Sequence, residues 1–420
     1  MPSDADVDSA GWNVTTVRDH PVVVDGAVIE RRYCPPDAQA VADVLAEAAT
    51  SGTVVTPTGG GTALALGNIP DRVDKALSTR ALDAVIDYEP MDLVLSVGAG
   101  ARFGDVQQLL RGNGQTIPLD PPDFENATIG GLIATARAGP LRRSSGTLRD
   151  YLVGMAVAHP SGTVTKSGGM VVKNVTGFDL PRLYHGSLGT LGVIVSANFK
   201  VFPLPTAETT LVARADTLDG AMVIANYWNQ GPLQPEALEL ASDAESWLVA
   251  ARIMGRSGTV TSRVREGGRG IAVPVEAFSV DDSASWWNRY VQGQSFTAAP
   301  SEVLVRCTVR PKATPGLVRS LLAGLPAAGA EIVALQAAIG KGTVHVRVVM
   351  QGGSATALHA LQCRLLDMAD HVTILAAPAD WKRGIDVWGK EPDGLDLMRS
   401  LKEQFDPHRV LNPGRFIGRI

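Results

Sequence analysis

The sequence predicts an α+β protein in two parts, and three of its features support this prediction. A β-branched run, residues 53–55, precedes three consecutive glycines, as at the end of a buried strand. The region 128–194 holds 12 of the chain's 44 glycines. Beyond Pro203 the order strand, helix, strand, strand, helix, strand occurs twice. The second part is therefore predicted to be a duplicated βαββαβ, ferredoxin-like layer, with helices on one face of an antiparallel sheet.

Length, charge and cysteine usage limit the class of protein. The 420 residues allow two or three domains, and the net charge of -5 with 5% aromatic residues argues against a nucleic-acid binder. Three scattered cysteines, Cys34, Cys307 and Cys363, offer neither an iron–sulfur cluster nor a zinc ribbon and fit a reducing cytosol. The chain shows no signal peptide and no membrane-spanning run. We expect a cytoplasmic protein that reaches the inner membrane, if at all, through partners.

The elements of the first part follow from local signals. Residues 1–19 are predicted to be a loose polar tail. A helix begins at Asp37 and is ended by Gly52, and a strand at 53–56 follows it. The next predicted elements are strands at 84–88 and 93–97 and a helix at 103–111.

The glycine loop, residues 56–62, is the first candidate site. Three glycines after a strand leave backbone N–H groups uncovered by side chains, and such a loop can form a concave nest for a phosphate. No lysine follows, so a Walker A loop is excluded. Backbone dipoles without a lysine suit a dinucleotide pyrophosphate better than a transferable phosphate. An ordinary glycine-rich turn is an equally open interpretation.

Two further glycine patterns lead to different conclusions. Residues 98–104 read G-x-G-x-x-x-G, but no βαβ unit with a well-placed acid follows, so a strand-to-helix turn is favoured. In the region 128–194, Thr128 starts a helix whose N-terminus could meet an anion. A polar loop at 142–150 precedes a hairpin. Glycines this dense are expected where something approaches the backbone closely, the alternative being a loop-rich core without a ligand.

Pro203 and Pro205 mark a domain boundary. The predicted division is a flexible tail at 1–19, a first domain at 20–203, a second at 206–376 and a C-terminal segment at 377–420. Trp286 and Trp287 lie in the joint between the two repeats and are predicted to pack there. Near the C-terminus, Asn412 and Arg415 lie on a rigid turn after Pro407, from which they could reach back to a ligand.

Six motifs occur in a fixed order and together are more specific than any one of them. They are the loop 57–67, Thr128-Ile-Gly-Gly, Gly146 with Arg149-Asp150-Tyr151, Lys173-Asn-Val-Thr-Gly-Phe-Asp-Leu, Gly186-Ser-Leu-Gly-Thr-Leu-Gly and Asn412-Pro-Gly. The set resembles the vanillyl-alcohol-oxidase and p-cresol-methylhydroxylase (PCMH) family of flavoproteins, and within it the FAD-binding subunits of bacterial glycolate oxidases. The resemblance covers about residues 41–201 and the last twenty residues. It implies a two-lobed PCMH-type FAD-binding domain at 20–203, a cap or substrate domain at 206–376, and a C-terminal segment that returns to the FAD site.

The resemblance also implies roles for single residues. The FAD pyrophosphate would be held by backbone N–H groups of Thr58, Gly59, Gly60, Gly61, Thr62 and Ala63. The flavin would be lined by Thr128, Gly130 and Gly131, the ribose and adenine by Gly146, Asp150, Gly192 and Ile194, and the isoalloxazine approached by Asn412. Relatives with covalent flavin carry a histidine in the first loop where this chain has Thr62, so we expect non-covalent FAD.

No catalytic residue and no metal site can be assigned. Relatives that oxidise 2-hydroxy acids carry a histidine-rich metal site and a Glu-His-Gly motif, whereas here only His345 stands in a comparable strand, and one histidine is no metal site. Arg306 or Arg310 could anchor a carboxylate, although both lie on an ordinary strand. The other candidate bases, each better explained by packing or surface exposure, are His159, Tyr184 and His185.

The sequence therefore predicts an FAD-dependent subunit that oxidises a 2-hydroxy acid such as glycolate or D-lactate. Because the chain has no cysteine cluster to pass electrons onward, we expect a complex with a second flavoprotein and an iron–sulfur subunit. Two alternatives are a stand-alone flavin oxidase or dehydrogenase of another alcohol, and a non-catalytic FAD-binding subunit needed only for assembly.

Overall fold

The computed structural model describes residues 6–7, 13–16, 22–29, 31–170, 179–242, 246–297 and 299–420. The strands are, in chain order, β1 (Asp6–Val7), β2 (Asn13–Thr16), β3 (Val22–Val24), β4 (Ala27–Ile29), β5 (Arg31–Tyr33), β6 (Val55–Thr58), β7 (Lys75–Ser78), β8 (Val85–Glu89), β9 (Val94–Gly98), β10 (Gln115–Thr116), β11 (Leu152–Ala158), β12 (Val164–Gly168), β13 (Val193–Lys200), β14 (Phe202–Pro203), β15 (Ala207–Ala215), β16 (Ala237–Ser242), β17 (Trp247–Gly255), β18 (Val275–Ala277), β19 (Glu302–Thr308), β20 (Ala330–Ala338), β21 (Thr343–Met350) and β22 (His371–Ala376).

The α-helices are α1 (Ala38–Ser51), α2 (Phe103–Gly112), α3 (Ile129–Thr135), α4 (Arg142–Ser145), α5 (Leu148–Tyr151), α6 (Leu180–Tyr184), α7 (Leu218–Gln230), α8 (Ser257–Gly267), α9 (Val280–Gln292), α10 (Thr314–Gly324), α11 (Ala355–Leu366) and α12 (Leu395–Phe405). Short 3₁₀ helices cover Pro311–Ala313, Pro326–Ala328, Ala379–Lys382 and Ile417–Arg419.

The first lobe is built on a five-stranded sheet in the order β1-β2-β5-β7-β6. Helix α1 has the predicted ends: the Asp37 carboxylate accepts a hydrogen bond from the Ala40 N–H, and Gly52 adopts the left-handed conformation that ends a helix. Strand β6 begins two residues later than predicted and includes Pro57. A proline is tolerated there because β6 is the edge strand. The glycine loop therefore begins at Gly59.

The stretch predicted to be a loose tail contains regular structure. Strand β1 pairs with β2, which in turn pairs with β5 of the first sheet. The rest of residues 1–19 lies outside the described residues, as do residues 173–178 of the fourth sequence motif.

The second lobe is an antiparallel sheet in the order β12-β11-β13-β9-β8. The predicted strands at 84–88 and 93–97 are confirmed as β8 and β9, and residues 98–104 form the predicted strand-to-helix turn into α2. The predicted hairpin is formed by β11 and β12. The prediction of a loop at 142–150 is wrong in part, because the short helices α4 and α5 occupy most of it.

The cap, which we define as β15 to β22 with α7 to α11, is an eight-stranded sheet in the order β18-β15-β17-β16-β20-β21-β19-β22. Its two βαββαβ units are confirmed: β15-α7-β16-β17-α8-β18 and β19-α10-β20-β21-α11-β22. The units join through antiparallel pairing of β16 with β20. Residues of α7, α8, α10 and α11 share one hydrophobic core with this sheet.

Helix α9 corrects the prediction that all cap helices lie on one face. It contains Trp286 and Trp287 and packs on the other face of the first unit, where Trp287 contacts Val212 and Ala250. The Trp287 indole N–H donates to the Thr210 hydroxyl at 2.8 Å. The tryptophan pair therefore packs on one unit rather than between the two.

On that same face, the second unit of the cap approaches the N-terminal lobes. Leu304 of β19 and Leu375 of β22 form one cluster with Leu66, Leu188 and Phe296. The sheet face carrying Leu304 and Leu375 thus borders the region that holds the predicted site.

Candidate functional site

A cavity lies where the glycine loop, α3, the start of β13 and the C-terminal turn meet. It encloses about 820 Å³ of space free of atoms, part of it open to solvent. Of the predicted site residues, twelve line it: Thr58, Gly59, Gly60, Gly61, Thr62, Ala63, Thr128, Gly130, Gly131, Gly192, Ile194 and Asn412. Segments that are more than 300 residues apart in the sequence thus meet at this cavity.

Gly146 and Asp150 are not among the residues that line this cavity. The Asp150 carboxylate accepts a hydrogen bond from the Thr147 N–H at 2.8 Å and closes a capping box at the start of α5. That backbone hydrogen bond is the main cause of the lowered pKa of Asp150. Gly146 has φ of 82°, a left-handed conformation that suits glycine. The structure gives both residues local roles in shaping the turn into α5.

The glycines of the loop are explained first by protein neighbours. A Cβ on Gly59 would lie 2.1 Å from Oγ1 of Thr128, and one on Gly60 would lie 1.8 Å from the carbonyl oxygen of Asn126. Both distances are impossible, so the missing side chains let the loop press against residues 126–128. Only Gly61 combines open surroundings with a positive φ of 77°. The close approach inferred from the sequence is therefore made by protein at Gly59 and Gly60.

The free hydrogen-bond donors lie in the loop rather than at the helix. The N–H groups of Ile129 and Gly130 donate to the carbonyls of Ala101 and Ala99, and that of Gly131 donates to the Thr128 hydroxyl. The first turn of α3 thus has no donor left for an anion, contrary to the prediction. Within the described ranges, by contrast, the N–H groups of residues 59–63 make no hydrogen bond. These are the donors that a ligand can use.

The C-terminal turn is held against the loop by backbone and side-chain hydrogen bonds. Leu411 forms a parallel bridge with Val55 of β6, and the buried Lys402 donates to the Leu411 carbonyl at 2.8 Å. Asn412 follows with φ of 46° and donates through Nδ2 to the Leu188 carbonyl at 2.7 Å. Its Oδ1 is buried and has no hydrogen-bond partner in the described part of the chain. An unpaired acceptor at a cavity wall points to a ligand that donates to it.

Arg137 is a lining residue that the sequence did not identify. Helix α3 ends at Ala136 in the left-handed conformation, which turns the chain and directs Arg137 inward. The guanidinium donates to the Asp123 carboxylate at 3.0 Å and to the Thr62 carbonyl at 3.3 Å. It also lies 3.9 Å from the ring centroid of Phe296 in the cap. The sequence signal that could have identified Arg137 is its position as a single cation just after a short helix, in an otherwise apolar stretch.

Arg415 is the second lining cation, and it is only 4% exposed. Its Nη2 donates to the carbonyls of Leu64 and Leu66 at 2.7 and 2.6 Å, just after the glycine loop. Its Nε is buried without a partner among the residues described. Since the charged residues that line the cavity are Arg137 and Arg415, the cavity favours a negatively charged ligand.

Arg306 and His345 of the cap do not line the cavity; they are cross-strand neighbours on β19 and β21. Burial, and then the positive charges of Arg306, Arg142 and Arg137, lower the pKa of His345 to about 3. The imidazole is therefore neutral at physiological pH. Arg306 is half-buried, and burial followed by the nearby Arg142 lowers its pKa. Arg306 donates to the Thr373 hydroxyl at 3.5 Å, and no acid pairs with it within the described residues. Arg310 is exposed beyond the end of β19.

The remaining candidate bases do not line the cavity. His159 has Nε2 2.7 Å from the Thr165 hydroxyl and packs beside Tyr184 and Phe405, and burial lowers its pKa. His185 likewise has a pKa lowered mainly by burial. The Tyr184 hydroxyl and Nε2 of His185 are buried without a hydrogen-bond partner in the described part of the chain. Among the described residues no three His, Cys, Asp or Glu side chains are grouped as metal ligands, and no helix there is long and apolar enough to cross a bilayer.

Comparisons with known proteins agree with this geometry. Residues 30–168 match the family described as FAD binding domain, and residues 388–416 match the family described as FAD linked oxidases, C-terminal domain. The chain is 35% identical over 200 residues to the glycolate oxidase subunit GlcE of Escherichia coli K12, a match that covers 47% of this chain and 56% of GlcE. The chain thus spans little more than half of the length of GlcE.

Longer matches have lower identity. The glycolate oxidase subunit GlcD of Bacillus subtilis 168 is 23% identical, with 87% of this chain and 84% of GlcD covered. A D-2-hydroxyglutarate dehydrogenase of Xanthomonas citri pv. viticola is 27% identical, with 91% and 88% covered. Among solved structures, an alkyldihydroxyacetonephosphate synthase superposes with a TM-score of 0.70 at 16% identity over 92% of this chain and 76% of that one. That likeness concerns the fold.

These findings define the chain as a flavoprotein with an FAD-binding domain of the PCMH type and a C-terminal segment of the FAD linked oxidases. It is related to glycolate oxidase subunits and to a D-2-hydroxyglutarate dehydrogenase. Its cofactor is FAD. The cavity fits this cofactor through unpaired loop donors, the unpaired Asn412 Oδ1 and a positive wall. Among the described residues that line the cavity there is no histidine, cysteine or tyrosine that could form a covalent link to the flavin.

Proposed function

We propose that this chain oxidises a 2-hydroxy acid of the glycolate or D-lactate type as the FAD-binding subunit of a larger complex. The observation that carries the proposal is Arg306, which has no acid partner among the described residues, beside the neutral His345 on the cap face that borders the FAD cavity. Bound FAD would supply the two-electron acceptor. The 2-hydroxy acid would lose a hydride from its carbon and a proton from its hydroxyl, which leaves a 2-oxo acid.

Arg306 is the residue that we assign to the substrate carboxylate. A partly buried guanidinium without an acid partner is unfavourable, and a carboxylate relieves this by two parallel hydrogen bonds. The neighbouring Arg142 strengthens the need for an anion, because it repels Arg306. Arg310 is too exposed for the same role. The names of the relatives, which oxidise hydroxy acids, support a carboxylate substrate.

His345 is suited to hydrogen bonding rather than to proton removal. A group whose pKa is about 3 holds almost no proton at pH 7, and a nearby arginine makes its protonated form still less favourable. In its neutral form it can accept one hydrogen bond and donate another. We propose that it orients the substrate beside Arg306, and we assign no base to this chain.

The test is anaerobic reduction of the flavin in the purified, FAD-loaded chain by glycolate and by D-lactate, followed by absorbance. We expect bleaching that saturates with substrate. Arg306→Met should raise the half-saturating concentration about 10- to 100-fold, as expected for loss of a hydrogen bond to a charged group. Arg310→Met is the matched control and should leave it unchanged.

Two results would contradict parts of the proposal. Equal half-saturation in wild type and Arg306→Met removes Arg306 from substrate binding. A folded, yellow protein that no 2-hydroxy acid bleaches favours the alternative of a non-catalytic FAD-binding subunit. The low pKa of His345, and the lack of a grouped metal-ligand set among the described residues, favour that alternative as the second candidate.

Membership of a complex is part of the proposal, and it rests on the relatives that are named as glycolate oxidase subunits. The three cysteines of this chain are free and far apart in the sequence, so we propose that electrons leave through a second flavoprotein and an iron–sulfur subunit. Any place at the inner membrane would come through those partners. Co-purification of the chain with both partners from its source is the measurement, and isolation of a fully active single chain contradicts this part.

A further inference from the structure

A second charged cluster lies directly behind the cavity wall. Lys382, from the 3₁₀ helix Ala379–Lys382, is 1% exposed at its side chain and donates to the Asp25 carboxylate at 2.5 Å. The same carboxylate lies 3.9 Å from Nη2 of Arg415. The Asp25 side chain is itself only 2% exposed. Three segments that are distant in sequence therefore meet in one buried ionic triad.

The position of Asp25 follows from local geometry. Asp25 and Gly26 both have positive φ, 47° and 81°, and connect the paired strands β3 and β4 as a two-residue hairpin turn. An Asp-Gly pair is preferred in such turns because both residues tolerate this conformation. The turn carries the Asp25 carboxylate to Lys382, which also donates to the Ala65 carbonyl at 2.9 Å.

The charges of the triad do not cancel. Two cations share one carboxylate, and within the described residues no other acid forms an ion pair with Lys382 or Arg415. A buried charge without a counter-charge is strongly unfavourable, so the excess positive charge favours binding of an anion. Arg137, the other lining cation, has its own acid in Asp123. The excess positive charge therefore lies on the side of the cavity where Arg415 is located.

Arg415 is the member of the triad that brings the excess positive charge to the cavity wall. Its Nη2 is used by the carbonyls of Leu64 and Leu66, whereas its buried Nε has no partner among the described residues. Lys382 and Asp25 do not line the cavity. Arg415 is therefore the only member of the triad that can contact a ligand there.

We propose that Lys382 and Asp25 are positioning residues that set the charge of Arg415, and that Arg415 donates to a negatively charged group of bound FAD. The glycine loop lacks a lysine of its own, and the triad supplies the missing positive charge from the other end of the chain. Two groups of FAD share the required chemistry: the pyrophosphate, and the flavin ring when it is reduced. Neither depends on the substrate, so this proposal stands or falls separately from the proposed function.

The test compares two variants that remove the same ion pair. Lys382→Met leaves Asp25 and Arg415 balanced, whereas Asp25→Asn leaves both cations without a carboxylate. A purely structural triad predicts that both variants weaken FAD binding in parallel. For a contact at the pyrophosphate the proposal predicts opposite effects: Lys382→Met raises the Kd of FAD for the apoprotein at least tenfold, and Asp25→Asn lowers it.

The flavin midpoint potential identifies the contacted group. Opposite changes in Kd place the contact at the pyrophosphate, which is charged in both redox states. Opposite changes in the midpoint potential at an unchanged Kd place it at the reduced ring, the potential falling in Lys382→Met and rising in Asp25→Asn. Parallel changes, or no change in either quantity, overturn the proposal.

A second pair of variants covers the case in which Lys382→Met does not fold. Arg415→Lys keeps the charge at the wall, and Arg415→Gln removes it while keeping a donor. Circular dichroism and the unfolding midpoint of each apoprotein establish that it is folded. We expect Arg415→Lys either to bind FAD at least fivefold more tightly than Arg415→Gln or to give the bound flavin a higher midpoint potential. Equal affinities together with equal potentials would overturn the proposal.

Discussion

Asn412 combines two functions in one amide. Its Nδ2 donates to the Leu188 carbonyl, and this bond fixes the amide and leaves Oδ1 buried without a partner among the described residues, in the wall of the cavity. The orientation follows from the hydrogen-bond network, because a carbonyl can be satisfied only by the NH₂ end. The left-handed backbone at φ of 46° is one that asparagine tolerates better than most residues.

Replacement of this side chain should weaken FAD binding more than it destabilises the fold. Asn412→Gly removes both hydrogen-bonding groups without backbone strain, since glycine accepts a positive φ. We expect the Kd of FAD to rise about tenfold, which corresponds to about 1.4 kcal/mol and to one hydrogen bond. Fluorescence titration of the apoprotein with FAD measures this.

Gln234→Gly is the matched control for Asn412→Gly. Gln234 also has a positive φ, 42°, but it is exposed in the cap and does not line the cavity. Its replacement should leave the Kd of FAD unchanged. The assignment of Asn412 fails if the two variants bind FAD equally well.

Single residues of the site differ in how far the sequence reveals them. Asn412 is identifiable because it lies in a short motif whose meaning is local. Arg137 is not, because its importance arises only when Asp123, Thr62 and Phe296 are brought around it by the fold. Arg306 is preferred over Arg310 only because the structure places one on the inner face and the other in solvent.

At the scale of elements, the glycine loop owes its shape to the segment beneath it. Gly59 and Gly60 lie so close to residues 126–128 that no Cβ fits between them. The loop is therefore held as a fixed shape before a ligand arrives, and the N–H groups of residues 59–63 have no hydrogen-bond partner among the described residues. A preformed set of donors spares the entropy cost of ordering a loop on binding.

Gly60→Ala should disrupt this element. The new Cβ would lie 1.8 Å from the Asn126 carbonyl oxygen, and backbone atoms must move to admit it. Overpacking of this kind costs about 1–3 kcal/mol of the free energy of unfolding, and the displaced donors should no longer bind FAD. Chemical denaturation of the apoprotein and a FAD titration measure the two effects.

Gly258→Ala provides the comparison for Gly60→Ala. Gly258 lies in α8, where a Cβ would have no neighbouring atom within 4 Å, and alanine is the better helix former. The unfolding free energy of this variant should be equal to or slightly higher than that of the wild type. Unchanged stability in Gly60→Ala as well would contradict the tight contact described for the loop.

The sequence predicts elements well where caps and periodicity agree. Helix α1 combines an Asp37 cap, an apolar face and Gly52, and the structure confirms all three. Helix α9 is not predicted from the sequence, although Ser279 caps it. Its buried face rests on a sheet and carries only three apolar side chains, those of Trp287, Tyr290 and Val291. The role of the turn at Asp25 is equally hidden, since it depends on a lysine more than 350 residues away.

At the scale of the whole molecule, buried acids join the N-terminal lobes to the cap. Asp120 contacts Arg252 of β17 at 3.4 Å, and Arg143 of α4 donates to the carbonyls of Pro235 and Ile339 in the cap. Glu239 of β16 is fully enclosed and accepts a hydrogen bond from the Tyr290 hydroxyl at 2.6 Å. Burial raises the pKa of Asp120 to about 7 and that of Glu239 to about 8.

These raised pKa values predict a protein that loses stability as pH rises. Between the pKa of about 4.5 in the unfolded chain and about 8 in the fold, Glu239 binds more protons when folded. Its stabilising effect is therefore fully present below pH 4.5 and is lost as pH rises through 8. The stabilising effect of protonated Asp120 is likewise lost as pH rises through about 7. The positive charge of Arg143 lowers the pKa of Glu239 and so opposes the effect of burial.

Glu239→Gln isolates this contribution, because the amide can still accept from Tyr290 but cannot ionise. We expect the free energy of unfolding to fall less steeply between about pH 6 and 8.5 in the variant than in the wild type, so that the two curves diverge toward alkaline pH. Glu331→Gln, an exposed carboxylate on the neighbouring strand β20, should reproduce the wild-type curve. The free energy of unfolding of Glu239→Gln and of the wild type could instead change with pH at the same slope. In that case Glu239 is not a protonated acid at the junction of the lobes and the cap. The junction must then tolerate a buried negative charge.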